Sequence, residues 1–311
     1  MSRRYEPNEV APLSDSVRQQ VQGPERQRKV DAEDERGCGA RSATAEPSRE
    51  QGNVNLNQQR STEPRTPYRD RQWTYSLRIS EIQTLRELGT FRAVDSEALA
   101  EIGYAGNRDR MEQDLRNLIR QSLITRRSVD APEKERFQVL TLTKAGQRFL
   151  TKQKLMPKDQ PIYHGLVKTK EARHDATLYR LYHKAARQIE SEGGKVRKVS
   201  LDYELKKRIN QELARLGADR NNPGKKNGIA EKHGVRVVNG RVAVPDLQIE
   251  YENAEGQLDR VNLELATKNY RAGQLQAKAQ AGFTLYAAAQ DSDRLRRVLN
   301  DREITAEILN L

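Results

Sequence analysis

Apolar residues stand isolated through residues 1–72, and from Trp73 onward they recur at helical and strand spacings. The first stretch keeps neither period and is dominated by Gln, Arg, Glu, Pro and Ser, so it is expected to be a disordered tail. Beyond it, Ile79, Ile82, Leu85 and Leu88 predict a helix that stops at Gly89, a C-terminal cap. Asp95 or Ser96 caps a short second helix that carries Leu99 and Ile102 and ends near Gly103. A third helix opens at Asn107 or Asp109 and places Met111, Leu115, Leu118, Ile119 and Leu123 on one stripe. The run 123–127 then reads as a strand, 130–134 as a turn and 137–142 as a returning strand.

Three short helices followed by a β-ribbon are the layout of a winged helix, expected over residues 73–155. The phrase Leu142-Thr143-Lys144-Ala145-Gly146 resembles the LTxxG close common in such modules, where the threonine caps the next helix. In that layout the third helix enters the major groove and the ribbon reaches phosphates. Arg108, Arg110, Arg116 and Arg120 fall on the polar side of the third helix, and Arg126, Arg127, Lys134 and Arg136 on the wing. These eight are the candidate DNA contacts; ordinary solvated arginines on a protein-binding module are the alternative.

A linker is expected over 156–172 and a second unit over 173–311. There, Leu178, Leu181, Tyr182, Ala185, Ala186 and Ile189 predict a helix ended by Gly193-Gly194, and Val196–Val199 a strand. A charged helix from Leu205 to Leu216 runs into 220–228, a polar segment rich in Gly and Asn that reads as a loop. Residues 242–251 and 260–266, joined by Asn253-Ala254-Glu255-Gly256, predict a hairpin with Asp246 central in its first strand. A helix carrying Leu275 and Ala279, a strand near 283–287, a short helix over 294–299 and a last apolar run over 304–309 complete the order.

Charge adds a partner class. Of 56 Lys+Arg and 44 Asp+Glu, 13 and 12 fall in residues 1–72, so nearly all of the +12 excess belongs to the patterned part. A basic folded body attracts polyanions, and nucleic acid is the first candidate. The single cysteine, Cys38, excludes a disulfide scaffold and Cys-rich zinc sites. No apolar run approaches the ~20 residues that span a bilayer, and the N-terminus has no signal-peptide core. A cytoplasmic location without membrane contact is the expectation.

Pro245-Asp246 in one hairpin strand and Glu264 in the next match the plan of PD-(D/E)xK nucleases. There two carboxylates on neighbouring strands hold Mg²⁺, and a lysine two residues after the second acid stabilises the phosphate or the nucleophile. At about 5% abundance for each residue, a Pro-Asp pair occurs about once by chance, so its strand context carries the reading. Ala266 occupies the usual lysine position, and Lys268 lies about 13 Å along an extended strand from Glu264. Either the strand bends before Lys268, or Lys278 on the following helix takes the role, or the site is inert. Glu190 or Glu192 is the candidate third acid, Glu190 being the choice for a metal ligand. His174 can donate to a phosphate or simply cap its helix.

Residues from about 75 to the C-terminus resemble the replication-relaxation family of plasmids and integrative elements. The likeness rests on Leu140–Gly146, Arg173-His174-Asp175, Val244-Pro245-Asp246, and Leu263-Glu264 followed by Lys278 and Tyr286. In that family's signature a second carboxylate commonly stands where Ala266 is found. The resemblance implies an α+β multidomain protein, with a winged helix-turn-helix and then an α/β restriction-endonuclease-like domain. It also implies a role in element replication, relaxation or conjugative mobilisation. Double-stranded DNA is the expected partner; a second copy of the chain and other replication or mobilisation proteins are further candidates. Three activities remain open: a Mg²⁺-dependent DNA endonuclease or nickase, a non-catalytic DNA-binding accessory, and a transcriptional regulator that dimerises through its second domain.

Overall fold

In the computed structural model, residues 63–130, 136–165, 171–217, 219, 222–301 and 306–311 are described. The chain is a mixed α+β protein. Among the described residues no helix is long and apolar enough to cross a membrane.

A hairpin of β1 (Thr66–Asp70) and β2 (Trp73–Leu77) comes first, although the sequence pattern assigns 63–72 to the tail. Its alternation is too short to stand out, and a distant partner supplies what the segment lacks. Tyr68 and Tyr75 both pack edge-on against Phe149, with ring centroids 5.7 and 5.2 Å away.

Helix α1 (Ile79–Thr90) runs past Gly89, the expected cap, and ends at Phe91. Gly89 serves close packing instead: a Cβ there would lie 2.9 Å from Leu150 Cδ1. Strand β3 (Val94–Asp95) leads into α2, which starts as an α-helix at Ser96–Ala98 and continues as a π turn, Leu99–Gly103. Asn107 caps α3 (Arg108–Arg120) by accepting from the Arg110 amide at 3.0 Å. The expected stripe is buried at Met111, Leu115 and Leu118, while Ile119 is exposed. Buried Asp114 ties α3 to α1 by accepting from Ser80 Oγ (2.6 Å), Arg78 (3.1 Å) and Tyr104 (3.2 Å).

Strands β4 (Ile124–Asp130) and β5 (Arg136–Leu142) form the ribbon, and β3 joins it in the order β3-β5-β4. Of the expected turn, 130–134, all but residue 130 lies outside the described residues, Lys134 included, and the Arg136 side chain is also outside them. Thr143 caps α4 (Lys144–Lys152), its Oγ1 accepting from Gly146 N at 3.0 Å. A Cβ on Gly146 would fall 2.3 Å from Leu123 O, so only glycine lets this helix start against the end of α3's connection.

The second half holds a five-stranded sheet in the order β12-β11-β10-β9-β6. Its strands are β6 (Lys195–Leu201), β9 (Leu247–Glu252), β10 (Leu258–Leu265), β11 (Thr284–Ala287) and β12 (Ile308–Asn310). The β6, β9 and β10 pairings are antiparallel, and β10, β11 and β12 run parallel. Around it lie α5 (Ala172–Ser191), α6 (Asp202–Arg215), α7 (Pro223–Lys232), α8 (Ala272–Gln280) and α9 (Ala289–Asn300). Helix α7 takes residues 223–228 of the expected loop, 220 and 221 lying outside the described residues: Asn222 Oδ1 accepts from the Gly224 and Lys225 amides, and Pro223 occupies the first turn. The long strand expected from 242 to 251 is interrupted. A short hairpin, β7 (Val237–Val238) with β8 (Arg241–Val242), precedes an irregular stretch, and β9 starts only at Leu247. Pro245 has no amide to give a ladder, which breaks the strand there.

The described residues belong to one compact unit, Asn55–Leu311. Phe91 of the first half meets Tyr179 and Tyr182 of α5, ring centroids 5.3 and 5.1 Å away. The described part of the expected linker is docked: Tyr163 N donates to Gly89 O at 2.7 Å, and Gln160 brackets the Val199 backbone with two 2.9 Å bonds.

Candidate functional site

Leu247 pairs with Leu263 across the β9–β10 ladder, so continuing that register by one step sets Asp246 opposite Glu264. The break at Pro245 turns Asp246 inward from the strand's edge rather than from its centre. The two acids interlock through backbone amides. Asp246 N donates to Glu264 Oε2 at 3.2 Å, and Leu265 N donates to Asp246 Oδ2 at 2.9 Å. Asp202, at the start of α6, donates its amide to Asp246 O at 3.0 Å and holds this segment.

Each acid has its own cation. Helix α5 places His174 in its first turn, with Nε2 3.3 Å from Asp246 Oδ2 and Nδ1 3.7 Å from Asp175 Oδ1; Arg92 stands 3.4 Å from Asp175 in turn. Helix α8 brings Lys278 Nζ to 2.6 Å from Glu264 Oε1, where it also donates to Val244 O at 3.0 Å. Tyr270 OH donates to the same Glu264 oxygen at 2.7 Å.

These partners drive the two acids apart in acidity. Burial opposes ionisation of Asp246, but the hydrogen bond and charge of His174, helped by the Leu265 amide and Lys278, hold its pKa below the usual carboxylate value. Glu264 is 1% exposed, and burial together with the neighbouring Asp246 charge raises its pKa against the pull of Lys278 and Tyr270. For His174, burial favours the neutral ring, yet the hydrogen bonds to Asp175 and Asp246 outweigh it and push the pKa up to about 10. Burial, then Glu264, raises the Tyr270 phenol, which remains a proton donor.

Of the residues that the sequence nominates, Asp246, Glu264, Lys278 and His174 therefore meet. Lys268 lies in the exposed turn after β10, its amide donating to Asp291 Oδ2 at 3.2 Å, and the basic position beside Glu264 belongs to Lys278. Glu190 is a correction: it is exposed, sixteen residues along α5 from His174. That offset is about 24 Å of helix, which puts it far from Asp246. Glu192 caps the same distant end and accepts from Gln188. The sequence names Asp175 only within the phrase Arg173-His174-Asp175, with no role beside His174, and it does not nominate Tyr270, which reaches Glu264 through a turn that no period along the chain reveals.

The donor set does not fit Mg²⁺ as it stands. Glu264 Oε1 accepts from Lys278 and Tyr270, Glu264 Oε2 from the Asp246 amide, and Asp246 Oδ2 from the Leu265 amide with His174 Nε2 3.3 Å away. Mg²⁺ demands a near-octahedral oxygen shell, and Lys278 and His174, one set on each carboxylate, compete with it for those oxygens. Among the described residues no group of three His, Cys, Asp or Glu side chains is arranged to hold a metal.

On α3 and the ribbon, the candidate arginines divide. Arg110 pairs with Glu63 at 2.7 Å, Arg126 with Glu112 at 2.8 Å and Arg108 with Glu97 at 3.4 Å. Arg116 and Arg120 bond to oxygens of their own helix, Glu112 O and Asn117 Oδ1. Those two and Arg127 are exposed and have no acidic partner among the described residues.

No family model, curated protein or solved structure matches the chain.

Proposed function

We propose that this chain is a DNA-binding protein of a mobile element, acting in its replication, relaxation or mobilisation. In this reading the first half is a winged helix that docks on duplex DNA, and the second is a PD-(D/E)xK-like domain that works as a non-catalytic clamp. The observation that carries it is the exposed trio Arg116, Arg120 and Arg127, without an acidic partner among the described residues, on a three-helix module with strand order β3-β5-β4. Such charges release counterions from a phosphate backbone. The resemblance to the replication-relaxation family supports the mobile-element setting. The pairing of each carboxylate with its own cation supports the clamp over hydrolysis.

Anisotropy titrations of a labelled duplex over a range of salt test the reading. Replacing Arg116, Arg120 and Arg127 together by Ala should lower the slope of log K against log salt by about 2.7, and weaken binding about tenfold or more. An unchanged slope overturns the docking surface.

A second reading, a DNA nickase, is favoured by the convergence of Asp246, Glu264 and Lys278 on one point. There Lys278 would face the scissile phosphate and the two acids would carry the chemistry. Supercoiled plasmid incubated with Mg²⁺, Mn²⁺ or EDTA separates the two. Metal-dependent nicking that disappears in Asp246→Ala/Glu264→Ala establishes the nickase; equal traces in both proteins leave the clamp.

A further inference from the structure

Two grooves flank the acid pair and share one residue. The first, of about 550 Å³, is bordered by Arg92, His174, Tyr203 and Lys206 and by the carboxylates of Glu171, Asp175 and Asp202, the first two paired with Arg92 and the third with Lys206. The second, of about 720 Å³, is bordered by Lys206, Asn210, Arg241, Gln274 and Lys278. His174 borders the first and Lys278 the second, and these are the cations on Asp246 and Glu264, while neither carboxylate lines either groove. Helix α6 joins them: Tyr203, Lys206 and Asn210 are exposed and spaced by three and four residues, a line about 10 Å long on one helical face.

The chemistry of this path is selective. The second groove has Lys206, Arg241 and Lys278 and no acidic residue in its lining, over an apolar floor that includes Ile209, Val242 and Val244. Lys206 is held 2.7 Å from Asp202, outside that lining. Tyr203 is 55% exposed, and the Arg92 guanidinium backs its ring 5.5 Å from the centroid. Cations along a rim, an apolar floor and an open aromatic ring suit a polyanion that also offers flat apolar faces. An unpaired strand offers both, whereas a duplex hides its base faces in the stack.

We propose that a single unpaired DNA strand lies along this path, one base stacked on Tyr203 and its phosphates at Lys206 and Arg241. The strand thereby passes Lys278, the cation on Glu264 that borders the second groove. The inference rests on the DNA-binding reading above and names the form of DNA that the second half takes.

The test uses the full chain, a fluorescein-labelled oligothymidylate and a duplex of equal length. Tyr203→Ala should bind the oligothymidylate at least about fivefold more weakly. Its duplex affinity should stay within about twofold, because duplex docking falls to the arginines of α3 and the ribbon. Tyr203→Phe should bind as the wild type does, since the ring is retained. Lys206→Ala and Arg241→Ala should each reduce the salt slope for the single strand by about 0.7. Unchanged oligothymidylate binding by Tyr203→Ala overturns the proposal. Wild-type protein that binds duplex but no single strand overturns it too and leaves the proposed function standing, while binding to neither overturns both.

Discussion

Glu264 shows how one residue's surroundings decide its role. In sequence it is one glutamate among 44 acidic residues; in the fold it is almost fully enclosed, beside a second carboxylate, with a lysine and a phenol as neighbours. Lys278→Met would strand that carboxylate in a desolvated place, at an expected loss of about 2 kcal/mol. Combining it with Glu264→Gln should recover part of the loss. Urea denaturation of the two variants beside the wild type checks this, and a double variant less stable than Lys278→Met alone contradicts it. His174 supplies a pH signature. Its folded-state pKa, raised to about 10, lies above the ordinary value of 6.5, so its contribution is complete below about pH 6.5 and fades as pH rises toward 10. Denaturation midpoints of the wild type should therefore fall across that window, and His174→Gln should flatten the fall. An identical pH profile in the variant would remove the His174–Asp246 interaction as its source.

At the scale of elements, local chemistry was legible where it acts within one turn. Thr143 and Asn107 could be read as caps because a hydroxyl or amide oxygen reaches an amide three residues on. Asn222 before Pro223 is the same device, hidden by the glycines and lysines after it, which make α7 look like a loop. Two glycines test how each helix is held. Gly228, inside α7 with open space where a Cβ would go, should accept Ala with a gain of about 0.8 kcal/mol. Gly146→Ala drives a methyl into the Leu123 carbonyl and should cost more than about 2 kcal/mol. Thermal unfolding of the two variants should show shifts of opposite sign. A neutral Gly146→Ala would mean that α4 does not start against that carbonyl.

For the whole molecule, the pattern along the chain suggests two units and a linker, and in the fold the main hydrophobic cluster draws on both halves, beside smaller clusters of their own. Residues of α1, α3, α5 and the sheet join a single hydrophobic cluster, in which Phe91 packs against Tyr179 and Tyr182. Shared burial of this kind couples unfolding, so calorimetry and tryptophan fluorescence should report one coincident transition. Two separated transitions would show that the halves unfold independently. Helix α5 carries both His174 and the aromatic contact to Phe91, so one helix connects the first half with the acid pair.

The sequence by itself determined most element types after residue 73, the basic excess of that part, and two of the acids with their alternative lysines, because periodicity, capping and charge are properties of neighbours along the chain. Tertiary structure alone decided the rest. It enlisted Tyr68 and Tyr75 through Phe149, broke the strand before Asp246, chose Lys278 over Lys268 and placed Glu190 a helix length away. It also gave each carboxylate a cation of its own. Those outcomes depend on distances between residues far apart in the chain, and the free energy of burying a charge is set by what packs around it, which spacing along the chain does not encode.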